Sequence, residues 1–424
     1  FGGPHGMIGI ERVMDHRAHE LAMDPVEVRK INYYPEMDTQ KKVHQPAITP
    51  YKMEVTDFIL GDMTSALLES SEYSERKAAV ASWNANNLLL KRGIAFSPVK
   101  FGISFTLTHL NQAGALVQIY SDGSVLINHG GTEMGQGLFQ KVAQVASRSL
   151  GVAQSSIRAS ATDTSKVPNT SATAASSGTD LNGMAVQAAC KTLCNRLQSH
   201  LGNTYGCPAG SIVFEGSKVI GQNFTLSWAE AVTSAYEARI SLSATGFYKT
   251  PDITWDRIKG EGRPFLYFSY GAAVTEVVID TLTGENRILR CDILHDCGSS
   301  LNPALDIGQI EGGFVQGAGW LTTEELVWDS QGHLKTHAPS TYKIPACSDR
   351  PETFNVSLWD GANPEQTIYR SKAVGEPPFM HGISAYLALS NAVSACGLNY
   401  PDLQAPATPE EIFQAIKRAQ GHAQ

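Results

Sequence analysis

The apolar residues near the start of the chain recur with helical spacing. Five of them, three or four positions apart, predict a first helix after the opening glycines: Met7, Ile10, Met14, Ala18 and Leu21. A second helix is indicated by Asp24 as N-cap, Pro25 in the first turn and Glu27 at the capping-box position. Residues 37–51 are polar and irregular and suit a boundary, and we expect further helix within 55–90.

From Phe101 the pattern changes to that of strands. Residues 115–120 and 125–128 flank Ser121-Asp122-Gly123, and together they form a hairpin signature. A glycine-rich loop follows at 129–137 and leads into a helix with one apolar side.

The same order of elements returns later in the chain. Strands at 273–279 and 287–293 enclose a turn, and a loop at 299–308 ends in Gly-Gln and enters a helical run. Segments 101–200 and 265–330 are therefore expected to form two similar halves, although their residue identity is too low for a sequence repeat.

Two further helices are predicted at the end of the chain. One spans 379–396, with Gly397 as a left-handed cap, and the other spans 409–418, with Thr408 as N-cap and Pro409 in the first turn. Because hairpins outnumber long crossovers, we expect an α+β fold of hairpin-rich sheets and packed helices instead of a doubly wound parallel sheet.

Composition narrows the class of partner. The net charge is −8, which argues against nucleic acid or an anionic membrane surface. Only 17% of the 424 residues are charged, against about 25% in an ordinary globular chain, which suggests that partners cover part of the surface. The seven cysteines show no regular framework and favour a reducing compartment, so the cytoplasm is the expected location. The start at Phe1, without methionine, indicates a piece of a longer protein.

Four places carry candidate chemistry, each with a structural alternative. Gly135-Gln136-Gly137 before a helix suits an anion, or is a tight turn. The small residues of 170–178 form either a packed loop beside a ligand or a linker. Glu376, held by two prolines before an apolar helix, is either a general base or an acidic helix-start residue. Alternation puts Phe101, Ile103 and Phe105 on one face of a strand, and the two aromatic residues belong either to the core or to a wall that stacks on a planar ligand.

Together these places resemble one family, the molybdenum hydroxylases, and within it the molybdopterin-binding portion of the xanthine dehydrogenase/oxidase group. The resemblance runs from residue 1 to about 416, and its strongest stretches are 1–4, 100–106, 130–137, 167–176, 299–317, 339–345 and 371–378. Pro377-Pro378 after Glu376 is similar to the xanthine group and differs from aldehyde oxidases. The resemblance implies that 1–55 end a first molybdopterin-binding domain and that 56–424 form a second.

The resemblance also implies roles for individual residues. Glu376 would be the base that removes a proton from hydroxide at the molybdenum, so that oxygen attacks a purine carbon. Phe1 and Phe105 would enclose the purine, with Thr106 beside it, and the backbone of Ala175 would lie near the metal. The pterin and its phosphate tail would be held by Met134, Gln136, Ser176, Gln309, Lys372, Val374 and Gly375.

Hypoxanthine or xanthine would be hydroxylated, with electrons passing through [2Fe–2S] clusters and FAD to NAD⁺ or O₂. The chain has no four-cysteine cluster motif and no flavin fingerprint, so these cofactors and the upstream half of the molybdenum region are expected in other chains or segments. A dimer of the whole assembly is implied as well. An aldehyde-oxidising relative and a non-catalytic scaffold are the alternatives.

Overall fold

A computed structural model describes residues 2–35, 47–166 and 170–421. The α-helices in these ranges are α1 (Gly2–Glu20), α2 (Pro25–Ile31), α3 (Leu60–Ser70), α4 (Tyr73–Asn86), α5 (Leu138–Leu150), α6 (Gly178–Tyr205), α7 (Trp228–Glu237), α8 (Pro303–Thr322), α9 (Ile383–Ser394) and α10 (Pro409–Ala419). The strands there are β1 (Ala47–Ile48), β2 (Glu54–Val55), β3 (Leu90–Ile103), β4 (Gln112–Ile119), β5 (Val125–His129), β6 (Ile157–Ala159), β7 (Val213–Glu215), β8 (Lys218–Ile220), β9 (Thr225–Ser227), β10 (Ser243–Lys249), β11 (Tyr267–Asp280), β12 (Asn286–His295) and β13 (Thr353–Leu358).

The first four-stranded sheet has the order β10-β4-β5-β6. Strands β4 and β5 form the hairpin expected around Ser121-Asp122-Gly123, with Ala115 opposite His129 in its register. Helix α5 then leads to β6, which pairs parallel to β5, and β10 closes the other edge antiparallel to β4.

The second four-stranded sheet has the order β13-β12-β11-β3 and repeats this pattern. Its hairpin is β11 and β12, helix α8 follows, and β13 returns parallel to β12. Strand β3 pairs antiparallel to β11, as β10 does to β4. The mixed α+β class and the two similar halves expected from the sequence are therefore confirmed.

Each half buries its apolar core between a sheet and its helices. In the first half, alternate residues of β4 and β5 contact the inward side of α5 and α6, and the fully buried members include Val117, Ile127, Val142, Val186 and Leu193. Cys190 and Cys194 belong to this cluster as well, in agreement with their helical spacing. In the second half, α8 and α9 pack on β11 and β12 in the same way.

A glycine on the edge strand of each half brings a helix into backbone contact. A Cβ atom on Gly246 of β10 would lie 2.0 Å from the carbonyl oxygen of Ala185 in α6. A Cβ atom on Gly93 of β3 would lie 2.0 Å from the carbonyl oxygen of Ala388 in α9. Both glycines are therefore required by the distance between strand and helix, since any side chain would collide with main chain.

Two expectations about helix ends were wrong. Helix α8 begins at Pro303, where Asn302 caps the Leu305 amide, so Gly308-Gln309 lies within a helix and not in a loop. Gly397 does not adopt the left-handed conformation; it lies where a Cβ atom would be 2.1 Å from the Ala419 carbonyl oxygen. Close packing of α10 explains this glycine, and a cap does not.

Among the described residues, no helix combines the length and apolar character that a bilayer crossing requires.

The glycine contacts predict a large asymmetry between two Gly→Ala substitutions. Gly246→Ala forces a methyl group against α6 and should lower the free energy of unfolding by about 3 kcal/mol. Gly61→Ala, in the first turn of α3 with open space around it, should change that free energy by less than about 1 kcal/mol. Thermal unfolding of both variants measures the difference, and equal melting temperatures would contradict the contact.

Candidate functional site

A polar cleft lies where the two halves meet. The first half contributes the glycine-rich loop, α5 and the segment before α6, and the second half contributes α8 and the loop 371–375. The lining residues are Gln136, Lys141, Ala175, Ser176, Thr179, Asp180, Leu301, Asp306, Gln309, Ser371, Lys372, Ala373, Val374 and Gly375. Seven of the eight cofactor-binding residues expected from the sequence are in this set, since Met134 is absent from it.

The amides of the glycine-rich loop already have an acceptor within the loop. Glu133 Oε1 accepts hydrogen bonds from the Gly135 and Gly137 amides at 3.0 Å, and Oε2 accepts one from Phe139 at 3.0 Å. This carboxylate therefore caps the N-terminus of α5, where the sequence suggested an external anion. The loop does bind an anion, but the anion is its own side chain.

Gln136 stabilises the loop from within, while Gln309 joins it to the second half. Gln136 Nε2 donates to the Thr132 carbonyl at 2.9 Å and its Oε1 accepts from the Met134 amide. Gln309 Nε2, on α8, donates to the Gly135 carbonyl at 3.2 Å. The two Gly-Gln pairs are therefore in contact. Met134 itself is exposed.

The small-residue segment is a packed loop. Thr173 Oγ1 accepts from the Thr132 amide at 2.9 Å, which links this segment to the glycine-rich loop. A Cβ atom on Gly375 would lie 2.2 Å from the Ala175 carbonyl oxygen, so the backbones of the two halves touch here. Helix α6 begins directly afterwards, at Gly178. Of the linker and packed-loop alternatives, the structure supports the second; residues 167–169 lie outside the described ranges.

Glu376 stands on a rigid turn at the edge of this cleft. Ser176 Oγ donates a hydrogen bond to its Oε2. Pro377–Gly382 forms a 3₁₀ helix that continues into α9, so the prolines and the helix start lie where the sequence placed them. Tyr369 and Arg370, before the loop, both have positive φ angles of 49° and 63°, a strained conformation for side-chain-bearing residues.

A buried histidine pair supports the turn after Glu376. His381, within the 3₁₀ helix, lies 3.0 Å from His295 of β12 through Nε2 and Nδ1, and both rings are fully buried. Burial lowers the pKa of His295 to about 3, and the pKa of His381 is also lowered by burial, so the pair is neutral at physiological pH. A Cβ atom on Gly271 would collide with both rings.

The two lysines of the cleft are paired with carboxylates. Lys372 Nζ lies 2.7 Å from Asp296 and 2.9 Å from Asp57, and burial raises the pKa of Asp57 against the opposing charge of Lys372. Lys141 Nζ lies 2.5 Å from Asp306. Lys372 is one of the residues expected to hold the cofactor, but its ammonium group links Asp296, directly after β12, to Asp57. This leaves the backbone of Lys372 to line the cleft. Val374 likewise lines the cleft by its backbone, since its side chain packs in the core of the second half.

Phe105 and Thr106, two of the three expected substrate residues, follow the end of β3. Strand β3 stops at Ile103, and Ser104 has a φ of 147°, so alternation places Phe101 and Ile103 but not Phe105 on a common strand face. Phe105 does not continue the strand because the Asn111 side chain binds both of its backbone groups. Asn111 Oδ1 accepts from the Phe105 amide at 2.7 Å, and Nδ2 donates to the Phe105 carbonyl at 2.9 Å. Thr106 is exposed beside it. Phe1 lies outside the described residues.

Sequence reasoning missed the charged lining of the cleft. Lys141, Asp180 and Asp306 occupy inward positions of α5, α6 and α8 and are buried. The sequence did contain a signal for them: each is a charged residue at a helical position where an apolar residue is expected. A charged side chain is buried at such a position only when it has a partner.

The lining of the cleft offers hydrogen-bonding groups that suit a pterin. Neutral amides, hydroxyls and backbone groups supply donors and acceptors for a polar heterocycle. The Gly375–Ala175 contact keeps the wall free of side chains at the point where the two halves meet.

The family of the chain follows from comparison with known domains. A family model described as a molybdopterin cofactor-binding domain matches residues 66–351, which is more than half of the chain, and a second model with the same description matches residues 1–33. The chain belongs to the molybdopterin cofactor-binding domain family.

Its curated relatives narrow this class further. Xanthine dehydrogenase/oxidase of Gallus gallus is 47% identical over 98% of this chain and 29% of its own length. Xanthine dehydrogenase of Dictyostelium discoideum is 43% identical over 97% of this chain and 29% of its own length. The chain therefore spans less than a third of the relatives it matches.

A solved structure supports the fold. A Cu,Mo-CO dehydrogenase in the carbon monoxide reduced state matches with a TM-score of 0.82 at 19% identity, over 100% of this chain and 53% of the other. At this identity the match concerns the fold alone.

The Glu133 cap predicts a loss of stability on removal of its carboxylate. Glu133→Ala leaves three amides at the start of α5 without their acceptor and should lower the free energy of unfolding by about 1–2 kcal/mol. Glu69→Ala, an exposed carboxylate of α3, serves as control and should change it by less than about 0.5 kcal/mol. Chemical denaturation compares the two, and equal midpoints would contradict the cap.

Proposed function

We propose that this chain is the molybdopterin-binding, catalytic portion of a xanthine dehydrogenase-type molybdenum hydroxylase that hydroxylates hypoxanthine and xanthine to urate. The observation that carries the proposal is the Glu376 carboxylate, fixed at the cofactor cleft by Ser176. The 42–47% identity to xanthine dehydrogenases supports the purine as substrate.

Glu376 is the general base in this proposal. Ser176 Oγ donates to Oε2, so Oε1 is left to accept a proton. The prolines, the 3₁₀ helix and the histidine pair hold the carboxylate, so little reorganisation accompanies proton transfer. When bound, the molybdenum cofactor supplies the two-electron redox chemistry of the hydroxylation.

The residues that would hold this cofactor come from both halves. They are Gln136, Ala175, Ser176, Gln309, Lys372, Val374 and Gly375, and Ala175 would place its backbone close to the metal. Met134 lies at the exposed rim of the loop. For Lys372 and Val374 the contribution is that of the backbone. Phe105 and Thr106, which follow the end of β3, bind the purine together with Phe1.

In the proposed enzyme, the electrons removed from the substrate leave through parts outside this chain. We infer that [2Fe–2S] clusters and FAD lie in other chains or segments of a larger, dimeric assembly in the cytoplasm, with NAD⁺ or O₂ as the last acceptor. The chain's share of less than a third of its relatives' length supports this division.

The role of Glu376 is tested in the native assembly that contains this chain. Glu376→Gln keeps the size of the side chain but removes its basicity, and kcat for xanthine should fall by at least about 10³-fold while molybdenum per chain stays normal. Glu410→Gln, at the exposed start of α10, is the matched control and should retain full turnover.

Two outcomes would contradict the proposal in different ways. Full turnover by Glu376→Gln would refute the base assignment. Absence of molybdenum from the native assembly would refute catalysis and favour the scaffold, whereas oxidation of aldehydes without turnover of xanthine or hypoxanthine would favour the aldehyde-oxidising alternative.

A further inference from the structure

One acidic side chain of the cleft is not used by the proposed reaction. Asp180 lies in the first turn of α6, and its carboxyl group is buried in the cleft wall. Oδ2 accepts a hydrogen bond of 2.6 Å from the hydroxyl of Tyr267. Tyr267 is the first residue of β11 and is buried as well, so this bond joins the two halves without solvent.

The Tyr267 hydroxyl continues the connection to the loop that carries Glu376. It accepts a hydrogen bond of 2.9 Å from the Ala373 amide. Ser269, two residues further along β11, donates through Oγ to the Ala373 carbonyl at 3.2 Å. Both polar backbone groups of Ala373 are therefore held by β11, three residues before Glu376.

We propose that Asp180 and Tyr267 are positioning residues for the loop 372–376. A phenol has one proton to donate, and Asp180 fixes its direction, which turns an oxygen lone pair toward the Ala373 amide. Without the carboxyl acceptor the hydroxyl is free to rotate, and the amide loses a partner whose orientation is set. The consequence for catalysis rests on the function proposed above for Glu376.

The charge of Asp180 makes this connection dependent on pH. Burial raises the pKa of Asp180 to about 7, against the opposing effects of the Tyr267 hydrogen bond and the positive charge of Lys141. The titratable groups that face it are Tyr267 from β11, Lys141 from α5 and Tyr248 from β10, while Asp306 of α8 neutralises Lys141.

Ionisation of Asp180 strengthens the connection. Burial raises the pKa of Tyr267 well above 10, so the phenol remains the donor throughout the physiological range. A hydrogen bond to an ionised carboxylate is stronger than one to a neutral carboxyl group. The loop is therefore held more firmly above pH 7 than below it.

The test is hydrogen–deuterium exchange of the peptide that contains Ala373 in the native assembly, corrected for intrinsic exchange at each pH. Tyr267→Phe should speed its exchange roughly tenfold, since one buried hydrogen bond is lost. It should lower kcat by a similar factor, with KM and molybdenum content nearly unchanged. Tyr248→Phe is the matched control, because Tyr248 faces Asp180 without a hydrogen bond to it, and should change neither.

Asp180→Asn removes the charge of Asp180 but keeps an acceptor for the hydrogen bond from Tyr267. Asparagine keeps an oxygen for Tyr267 but does not ionise, so the exchange of the Ala373 peptide and kcat should lose their change around pH 7. Unchanged exchange in Tyr267→Phe, or a pH dependence that persists in Asp180→Asn, would overturn the proposal. If Tyr267→Phe does not assemble, the Asp180→Asn profile alone decides.

These readouts distinguish this proposal from the proposed function. Faster exchange in Tyr267→Phe together with full turnover by Glu376→Gln would support the connection to the loop and contradict the role of Glu376 as base.

Discussion

The close contact between Gly375 and Ala175 is the constraint on which the site depends. Ala175 belongs to the first half and Gly375 to the second, and there is no space for a side chain between them. Around this contact lie further connections between the halves: Ser176 with Glu376, Lys141 with Asp306, Gln309 with Gly135 and Tyr267 with Asp180. The cleft is thus a product of the interface, and neither half forms it alone.

The polar connections at this interface select one arrangement more than they add stability. A buried ion pair such as Lys141–Asp306 gains little net free energy, because desolvation offsets the attraction between the charges. Breaking one partner is costly, however, since a buried charge is left unpaired. The apolar cores of the two halves supply the stability, and the paired charges fix how the halves meet.

Local patterns in the sequence were sufficient for much of the fold. The β4–β5 hairpin, the cap at Thr408 and the inward thiol of Cys190 follow from turn residues, capping residues and spacing, which act over a few positions. Gly397 was misinterpreted because glycine also serves close packing, and a packing partner distant in sequence leaves no local signal. Gly308 was misinterpreted because the Asn302 cap starts α8 already at Pro303. Glu133 lies only two, four and six residues before the amides that it caps, so its role as the acceptor at the start of α5 had a local signal that was missed.

The candidate site was predictable in part for a similar reason. The family resemblance implied eight cofactor-binding residues, and the structure brings seven of them together at one cleft. It did not indicate that Lys372 is neutralised by Asp57 and Asp296, since 315 residues separate Lys372 from Asp57. Phe105 was assigned to a strand face because the alternation of residues gives no sign that the Asn111 side chain binds the Phe105 backbone and ends the strand.

Backbone contact between the halves builds the cofactor cleft, and the molybdenum content of a Gly375→Ala assembly measures how far cofactor binding depends on that contact. The added methyl group collides with the Ala175 carbonyl and must separate the walls, while the apolar cores of both halves remain intact. Molybdenum per chain should fall at least about tenfold, which corresponds to a loss of about 1.4 kcal/mol in binding free energy. The circular dichroism of the folded protein should stay unchanged. A Gly375→Ala assembly that carries the full complement of molybdenum would contradict it.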